Sequence, residues 1–385
     1  MAVGLVAVVA ACSGGGGAPS SSSGGSARAA WRPLAASPVA GRQGPATVWT
    51  GKEMLVWGGV ACTANPCQGD GTTPLADGAA YDPVADRWRM LAPSPLSPRG
   101  AAAAVWTGSE MLVWGGEART TPLADGAAYD PVADRWRMLA ASPLGPRRTS
   151  GVWTGKELVV WGGRDAASQT QLVFYADGAA YDPTADRWRV LAPSPLPERE
   201  LRGGMTWTGS EVVAWGGGTG DEAFADGAAW SPATDTWRTL ARSPLAARFA
   251  QAIWTGKEVV VWGGEDWRQV FADGAAWDPA AGTWRTISPS PLKARIVATT
   301  VWTGSSMLVW GGSPGTYNDF FGDGAAYDPA ADRWTPVPLF SGRLAPAAVW
   351  TGSELVVWSG TVPTGLTTAG LARLQNAADG ARLTP

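Results

Sequence analysis

The chain has 385 residues, of which 30 are Lys or Arg, 33 are Asp or Glu and none is histidine. Without histidine it cannot form a Ser-His-Asp or Cys-His nucleophilic site, or a zinc, copper or iron site with imidazole ligands. The formal net charge is −3 and the basic residues are spread along the chain, so nucleic-acid binding has no electrostatic basis. We therefore expect no nucleic-acid partner, no metal and no cofactor.

The first thirty residues differ in composition from the rest. Residues 1–11 form a short apolar run rich in Ala and Val, followed by Cys12. This end resembles the lipobox of bacterial lipoproteins, in which the cysteine becomes the lipid-modified N-terminus after cleavage. The alternative is an ordinary signal peptide with a chance cysteine. One departure is that no Lys or Arg precedes the apolar run, unlike in most export signals.

We predict a signal peptide with a lipobox over residues 1–12 and a flexible Ser/Gly-rich tether over 13–30. The protein is then expected at the extracytoplasmic face of a bacterial membrane as a lipoprotein, or otherwise secreted. Attachment would be through the lipid anchor only, because no later stretch is long and apolar enough to span a bilayer.

A Trp-Thr-Gly turn followed by a hydrophobic run recurs seven times, with a period of about fifty residues. The tryptophans that begin these copies are Trp49, Trp106, Trp153, Trp207, Trp254, Trp302 and Trp350. In the second copy, four short segments (99–106, 110–114, 125–129 and 135–139) are separated by Gly, Pro and Asp turns. They show no helical periodicity. The pattern predicts an all-β fold built from repeated four-stranded units.

Several features of the second copy resemble the kelch repeat. Its hydrophobic strand ends in Gly115-Gly116, Tyr129 is followed by Asp-Pro, Trp136 comes seven residues after that tyrosine, and Pro146-Arg147 precedes the next unit. The resemblance implies a seven-bladed β-propeller over 31–374, with four antiparallel strands per blade, followed by a C-terminal tail over 375–385. Galactose oxidase carries a copper site on such a propeller, but that site needs histidines, so only the fold would carry over.

The two ends of the chain predict how the ring closes. Residues 31–38 match a fourth strand that has no first three strands before it. The last unit has a first strand at 345–350, a second at 354–358 and a degraded third strand at 370–374. We expect the N-terminal strand to complete the last blade. The alternative is that the tail from Gln375, which echoes the repeat at Ala378-Asp379, closes it instead.

Two of the three cysteines, Cys62 and Cys67, lie in a long insertion of the first unit, 60–76. In an exported protein, a small disulfide loop is the expected state of such a pair. A metal site is the alternative, but it lacks further ligands.

Charged residues recur in every unit. Arginines precede the first strands, at Arg42, Arg99, Arg147, Arg199, Arg248, Arg295 and Arg343. Aspartates precede the third strands, at Asp77, Asp125, Asp177, Asp226, Asp273 and Asp323. A residue present in every blade does not mark one asymmetric site, so we interpret both sets, and the recurring glutamates of the first turn, as structural. The alternative is a basic ring at the channel mouth that attracts an anion such as a sugar acid.

With kelch topology, the loops from strand two to strand three and from strand four to the next blade share one face, which we call the variable face. The repeated Trp-Thr-Gly and Asp-Pro turns lie on the opposite face, the turn face.

Trp267, with its neighbours Asp266 and Arg268, is the best candidate for a ligand or partner contact, because it is the one tryptophan outside the repeat positions. The alternative is that Trp267 folds back over a neighbouring loop. The loop of the sixth unit adds three candidates, Tyr317, Asn318 and Asp319. Three phenylalanines, Phe224, Phe271 and Phe321, are expected in the core.

Two hypotheses for function follow. The favoured one is a monomeric, non-enzymatic binding module that presents its variable face to an unknown protein or glycan. The alternative is a metal-free carbohydrate enzyme, similar to the exported kelch propellers that interconvert sialic acid anomers or epimers. Glu265 or Asp319, with an arginine of the recurring set, would then form the acid/base pair. The sequence identifies no definite catalytic residue.

Overall fold

The computed structural model describes residues 30–62, 71–168, 171–316, 319–366 and 372–385. It contains seven antiparallel four-stranded sheets, and no helix among these residues. The first strands of neighbouring sheets contact each other around the whole ring, the seventh touching the first, so they lie innermost. The protein is a seven-bladed β-propeller, which confirms the predicted fold.

The first six blades take their strands in chain order. Blade 1 consists of Ala46–Trp49, Met54–Trp57, Gly78–Asp82 and Arg87–Met90, and blade 2 of Ala103–Trp106, Met111–Trp114, Gly126–Asp130 and Arg135–Met138. Blade 3 consists of Gly151–Trp153, Leu158–Trp161, Gly178–Asp182 and Arg187–Val190, and blade 4 of Met205–Trp207, Val212–Trp215, Gly227–Ser231 and Thr236–Thr239. Blade 5 consists of Phe249–Trp254, Val259–Glu265, Gly274–Asp278 and Thr283–Thr286, and blade 6 of Thr299–Trp302, Met307–Trp310, Gly324–Asp328 and Arg333–Val337.

Four hairpins extend from the variable face, each between the second and third strands of a blade. They pair Val60–Cys62 with Thr72–Pro74, Glu117–Ala118 with Thr121–Pro122, Arg164–Ser168 with Gln171–Phe174, and Thr361–Leu366 with Ala372–Asn376.

Tryptophans fill the boundary between each pair of neighbouring blades. The tryptophan at the end of a second strand packs on the fourth-strand tryptophan of the next blade, as Trp57 does on Trp136. Seven such pairs complete the circle, with ring centroids between 5.2 and 5.7 Å apart. The second strands are buried on both sides by these contacts, which is why they are continuously apolar.

The recurring arginines also link neighbouring blades. The backbone of Arg99 bonds to blade 1, through Leu75 O and Gly59 N. Its guanidinium bonds to blade 2, at Gly115 O and the carboxylate of Asp125. All seven arginines are at most 1% exposed, and each pairs with its blade's aspartate at 2.6–2.9 Å.

The seventh blade is built from both ends of the chain. From inside to outside its strands are Ala347–Trp350, Leu355–Trp358, Gly380–Thr384 and Ala30–Pro33. Closure by the N-terminal strand is confirmed. The third strand, expected at 370–374, is instead Gly380–Thr384, so the propeller includes most of the predicted tail. The sequence 378–381 repeats the Ala-Asp-Gly-Ala that precedes other third strands. In addition, Asp379 takes the place of the recurring aspartate by pairing with Arg343 at 2.9 Å.

Both described ends of the chain lie on the turn face. Ala30 pairs with Thr384, and the Thr384 hydroxyl donates to Glu354, in the Trp-Thr-Gly turn of blade 7, at 3.0 Å. The variable face is therefore opposite the point where residues 1–29 join the propeller. Among the described residues, no helix is long and apolar enough to cross a membrane.

Candidate functional site

The channel mouth on the variable face is formed by seven backbone bridges, one per blade. In each bridge, the residue after a recurring arginine pairs with the residue after the second strand's Gly-Gly or Ser-Gly, as Arg148 does with Arg164. The other six bridges are Gln43–Val60, Gly100–Glu117, Glu200–Gly218, Phe249–Glu265, Ile296–Ser313 and Leu344–Thr361. Because these residues lead into the innermost strands, they encircle the axial channel.

Charge is distributed unevenly around this mouth. The bridge residues of blades 2 to 5 include three glutamates and two arginines, and Arg202, two residues after Glu200, adds a third arginine. The bridge residues of blades 6, 7 and 1 are uncharged. We call the six charged residues the mouth network: Glu117, Arg148, Arg164, Glu200, Arg202 and Glu265.

Ion pairs join the mouth network across three blade boundaries. Arg148 bonds to Glu117 at 3.2 Å and to Glu200 at 2.8 Å. Glu200 bonds to Arg202 at 3.0 Å, and Arg202 bonds to Glu265 at 3.3 Å. Arg164 completes the set by lying 3.4 Å from Glu200. The result is a chain of alternating charges from blade 2 to blade 5.

The centre of the network is withdrawn from solvent. The side chains of Arg148 and Glu200 are 1% and 2% exposed. Burial alone would raise the pKa of Glu200, but the guanidinium groups of Arg148, Arg202 and Arg164 outweigh it and lower this pKa to about 2. Burial and the charge of Arg148 lower the pKa of Arg164. At the blade 5 end of the mouth network, burial raises the pKa of Glu265 against the opposing effect of Arg202.

Aromatic rings hold Arg202 in place. Its guanidinium lies 4.4 Å from the ring centre of Phe249 and 4.5 Å from that of Trp267, and the two rings meet edge to face at 5.1 Å. The Trp267 indole N–H donates to Thr219 O, in the blade 4 loop, at 3.3 Å. Trp267 therefore folds over a neighbouring loop, as the alternative expectation has it, and is half-buried beside the mouth network.

The other candidates from the sequence are distributed over the variable face. Asp266 caps the blade 5 loop by accepting the backbone N–H groups of Arg268 and Gln269. The side chain of Arg268 is exposed, as is that of Asp319 on blade 6. Two further candidates, Tyr317 and Asn318, lie outside the described residues.

Three of the recurring arginines contact aromatic rings in the loops before the third strands, in addition to pairing with the aspartates of their blades. Arg199 stacks on Phe224, Arg248 on Phe271 and Arg295 on Phe321, with the guanidinium carbon 3.7–4.4 Å from the ring centre. The three phenylalanines are half-buried, so the expectation that they are core residues is wrong. Each ring covers a buried guanidinium group with one face and remains partly exposed to solvent.

The cysteines are partly covered by the structure. Cys62 is disulfide-bonded, and its backbone N–H donates to the side chain of Asn376, in the blade 7 hairpin. Both Cys67 and the predicted lipidation site, Cys12, lie outside the described residues. Within the described ranges, no group of three or more Cys, Asp or Glu side chains could hold a metal ion.

A small pocket lies next to the outer end of the mouth network, between the first strands of blades 5 and 6. Its lining combines Arg202, Glu265, Gln251 and Thr300 with the apolar side chains of Phe249 and Ile296. The pocket thus continues the charged surface into a mixed polar and apolar one.

Glu265 and Trp267 could be selected from the sequence, whereas the other five residues of the network could not. A signal was present: the residue after each recurring arginine changes from Gln to Gly, Arg, Glu, Phe, Ile and Leu around the ring. This position interrupts an otherwise regular repeat, but its partners are distant in sequence. Arg148 and Glu200 are 52 residues apart.

No known protein family and no curated protein matches this sequence. Among solved structures, a protein named YjhT superposes with a TM-score of 0.59 at 16% identity, covering 79% of this chain and 99% of that one. At this level of identity the likeness supports the fold alone, and YjhT is a propeller too.

Proposed function

We propose that this protein is an exported, lipid-anchored kelch-type propeller that binds a protein or glycan at the mouth of its variable face without catalysing a reaction. The observation that carries the proposal is the mouth network. It concentrates six charged side chains on blades 2 to 5, whereas the bridge positions of blades 6, 7 and 1 are uncharged. A structural role common to all blades would not require this asymmetry.

The direction of the chain supports the same proposal. Ala30 lies on the turn face, so a tether over 13–30 would join the propeller there. A lipid on Cys12 would then hold the turn face towards the membrane and leave the mouth directed away from it. This is the orientation that a surface-bound receptor for a soluble or neighbouring partner needs.

The binding proposal can be tested with a glycan array and a pull-down from the cell envelope. The wild-type protein is expected to retain a specific glycan or protein. A Trp267→Ala/Arg268→Ala double variant should retain much less, since it removes the aromatic side of the mouth and an exposed cation. Arg135→Gln, which changes an exposed arginine on the outer strand of blade 2, should retain as much as wild type. Equal retention by both variants would place the binding surface elsewhere.

Glu265 favours a second candidate, a metal-free carbohydrate enzyme. Its carboxyl lines the pocket 3.3 Å from Arg202, and burial raises its pKa, which suits a general acid or base. Nuclear magnetic resonance of reducing sugars and sugar acids would show anomer interconversion directly. Turnover that disappears in Glu265→Gln but persists in Arg135→Gln would favour the enzyme over the binding module.

A further inference from the structure

We infer that the mouth network binds the carboxylate of a small acidic ligand beside the guanidinium groups of Arg148 and Arg164. The inference rests on the proposal that the mouth is the binding surface, and it adds the class of ligand. Its basis is an unmet hydrogen-bonding capacity together with the sharing of one carboxylate by three guanidinium groups.

Arg148 has a donor without an acceptor. Its Nε donates to Glu200 at 2.8 Å and its Nη1 to Glu117 at 3.2 Å. Its Nη2 is buried and has no hydrogen-bond partner among the described residues. A buried guanidinium normally has all its N–H groups satisfied, because each unpaired one loses its hydration without compensation. A carboxylate is the group that a guanidinium N–H bonds most strongly.

The carboxylate of Glu200 is shared by three cations. Three guanidinium groups, those of Arg148, Arg164 and Arg202, lie within 3.4 Å of this single carboxylate. Glu117 pairs with Arg148 on one side and Glu265 with Arg202 on the other. Arg164 pairs with Glu200, which also bonds to Arg148 and Arg202. Burial and the charge of Arg148 lower the pKa of Arg164, as expected for a largely buried cation beside another cation.

Asp165 lies on the opposite side of the strand from Arg164. Successive side chains of a strand point to opposite faces, and Asp165 lies beside Tyr175, whose pKa is raised by burial and then by the Asp165 charge. An incoming carboxylate would instead lie on the Arg164 side of the strand. Arg164 is 11% exposed, compared with 1% for Arg148, so it is the guanidinium that a ligand reaches first.

The lining of the neighbouring pocket offers contacts to the remainder of such a ligand. Arg202 belongs both to the network and to the pocket lining, and the lining adds the amide of Gln251, the hydroxyl of Thr300 and the ring of Phe249. This combination fits an uncharged body with hydroxyl or amide groups and one apolar face. A small acid of this kind occurs as a sugar acid or as the end of a peptide.

Titration calorimetry on the mature protein separates these sources. D-glucuronate represents a sugar acid, N-acetylglycine represents a peptide carboxylate, and D-glucose is the uncharged control. We expect glucuronate, N-acetylglycine or both to bind, and glucose not to bind. Raising the salt concentration should weaken the binding, because the contact is ionic. Binding of glucuronate alone assigns the site to sugar acids, and binding of N-acetylglycine alone assigns it to peptide ends.

Arg164→Gln tests the residue assignment. It should weaken acid binding at least tenfold, since one charge-assisted hydrogen bond is lost, while Arg135→Gln should not change it. Thermal unfolding of both variants identifies any loss of folded protein. Acid binding that is unchanged in Arg164→Gln would overturn the inference. If neither acid binds wild type while the array or pull-down still yields a partner, the carboxylate assignment is wrong and the proposed function stands. If nothing binds in either experiment, both are wrong.

Discussion

In five blades, the turn after the third strand carries a small hydrogen-bonded unit that also reaches the preceding blade. In blades 1, 2, 3 and 6 a tyrosine hydroxyl donates at 2.5–2.6 Å to an aspartate five residues later in the turn. The same carboxylates accept a backbone N–H from the preceding blade's linker, as Asp86 does from Ala35. In blade 4 the indole N–H of Trp230 replaces the tyrosine hydroxyl, at 2.9 Å from Asp235.

Blade 5 lacks this unit. Gly282 stands where the aspartate would be, and the indole N–H of Trp277 is buried without a partner among the described residues. The preceding linker is in place, since Ala241 O accepts from Trp284, but within the described part of the chain no carboxylate accepts the Ala241 N–H. Gly282 has φ +67°, in the left-handed region that Asp86 and its counterparts occupy. Apart from its chain neighbours, a Cβ atom added there meets nothing closer than the Trp277 ring at 4.0 Å.

We predict that Gly282→Asp stabilises the protein. It would supply an acceptor for the Trp277 indole and for the Ala241 N–H. The new hydrogen bonds should raise the free energy of unfolding by about 1 kcal/mol. Placing a side chain in the left-handed conformation offsets a small part of this gain, and aspartate tolerates that conformation better than most residues. Urea unfolding measures it. Gly282→Ala is the control, because it has the left-handed cost without the acceptor and should be neutral or destabilising. Equal effects of the two substitutions would contradict the hydrogen-bond explanation.

The tyrosines of these units predict how stability depends on alkaline pH. Burial, and next the hydrogen bond to the turn aspartate, raises the pKa of Tyr129 and Tyr181 to about 12. A free tyrosine titrates near 10. Because the folded state holds the proton more tightly, this contribution is complete below about pH 10 and is lost as pH rises towards 12. Urea midpoints should therefore fall over this interval. The fall should be smaller in a Tyr129→Phe/Tyr181→Phe variant, and an equal fall would show that other groups cause it.

At the scale of single elements, the two strands from the chain ends stabilise blade 7 to different degrees. Gly380–Thr384 hydrogen-bonds on both edges, to Leu355–Trp358 and to Ala30–Pro33, and it buries Ala381 and Leu383 completely. Ala30–Pro33 pairs on one edge only. Its main buried group is Trp31, which lies 4.9 Å from Phe340 and 5.2 Å from Trp310 between ring centres.

We therefore predict that truncation after Asp379 is more damaging than Trp31→Ala. The truncation removes the middle of a sheet, and the closing strand loses its only partner, so cooperative unfolding and solubility should both be lost. Trp31→Ala leaves the strand pairing in place and should cost about 3 kcal/mol, near the low end for a tryptophan in a core, since Trp31 is only partly buried. Circular dichroism and urea unfolding compare the two. A truncated protein as stable as Trp31→Ala would mean that Gly380–Thr384 is dispensable.

Most elements could be predicted from the repeat because each blade repeats the same local chemistry. In blade 1 the first-turn glutamate pairs with a fourth-strand arginine, Glu53 with Arg89 at 2.8 Å. Blade 6 has lost both partners together, with Ser306 in place of the glutamate and Thr335 in place of the arginine. The third strand of blade 7 was misplaced because the hairpin 361–376 separates it from the second strand, and its tryptophan and tyrosine positions are gone. The Ala-Asp-Gly-Ala sequence at 378–381 was the remaining signal.

At the scale of the whole molecule, the candidate site depends on the packing of neighbouring blades. The ion pair of Arg202 with Glu265 joins residues 63 positions apart in different blades, and neither residue belongs to the repeated pattern. Periodicity predicts that such positions encircle the channel, but it does not predict which charges meet there. This is why Glu265 and Trp267 could be selected from the sequence as irregular loop residues, whereas Arg148, Glu200 and their contacts required the assembled propeller.

The same whole-molecule geometry predicts the orientation of the anchored protein. In vesicles carrying the lipidated protein, a dye on Ser353→Cys, an exposed turn-face position, should transfer energy to a headgroup acceptor more efficiently than a dye on Arg268→Cys, which is exposed on the variable face. The eighteen-residue tether (13–30) has a root-mean-square reach of roughly 25 Å, so it permits some tumbling but does not equalise the two faces. Cys12→Ala should abolish membrane association and both signals. Persistent membrane association of Cys12→Ala would exclude the lipid anchor. Equal transfer from the two faces, with the anchor intact, would mean that the mouth is not held away from the bilayer.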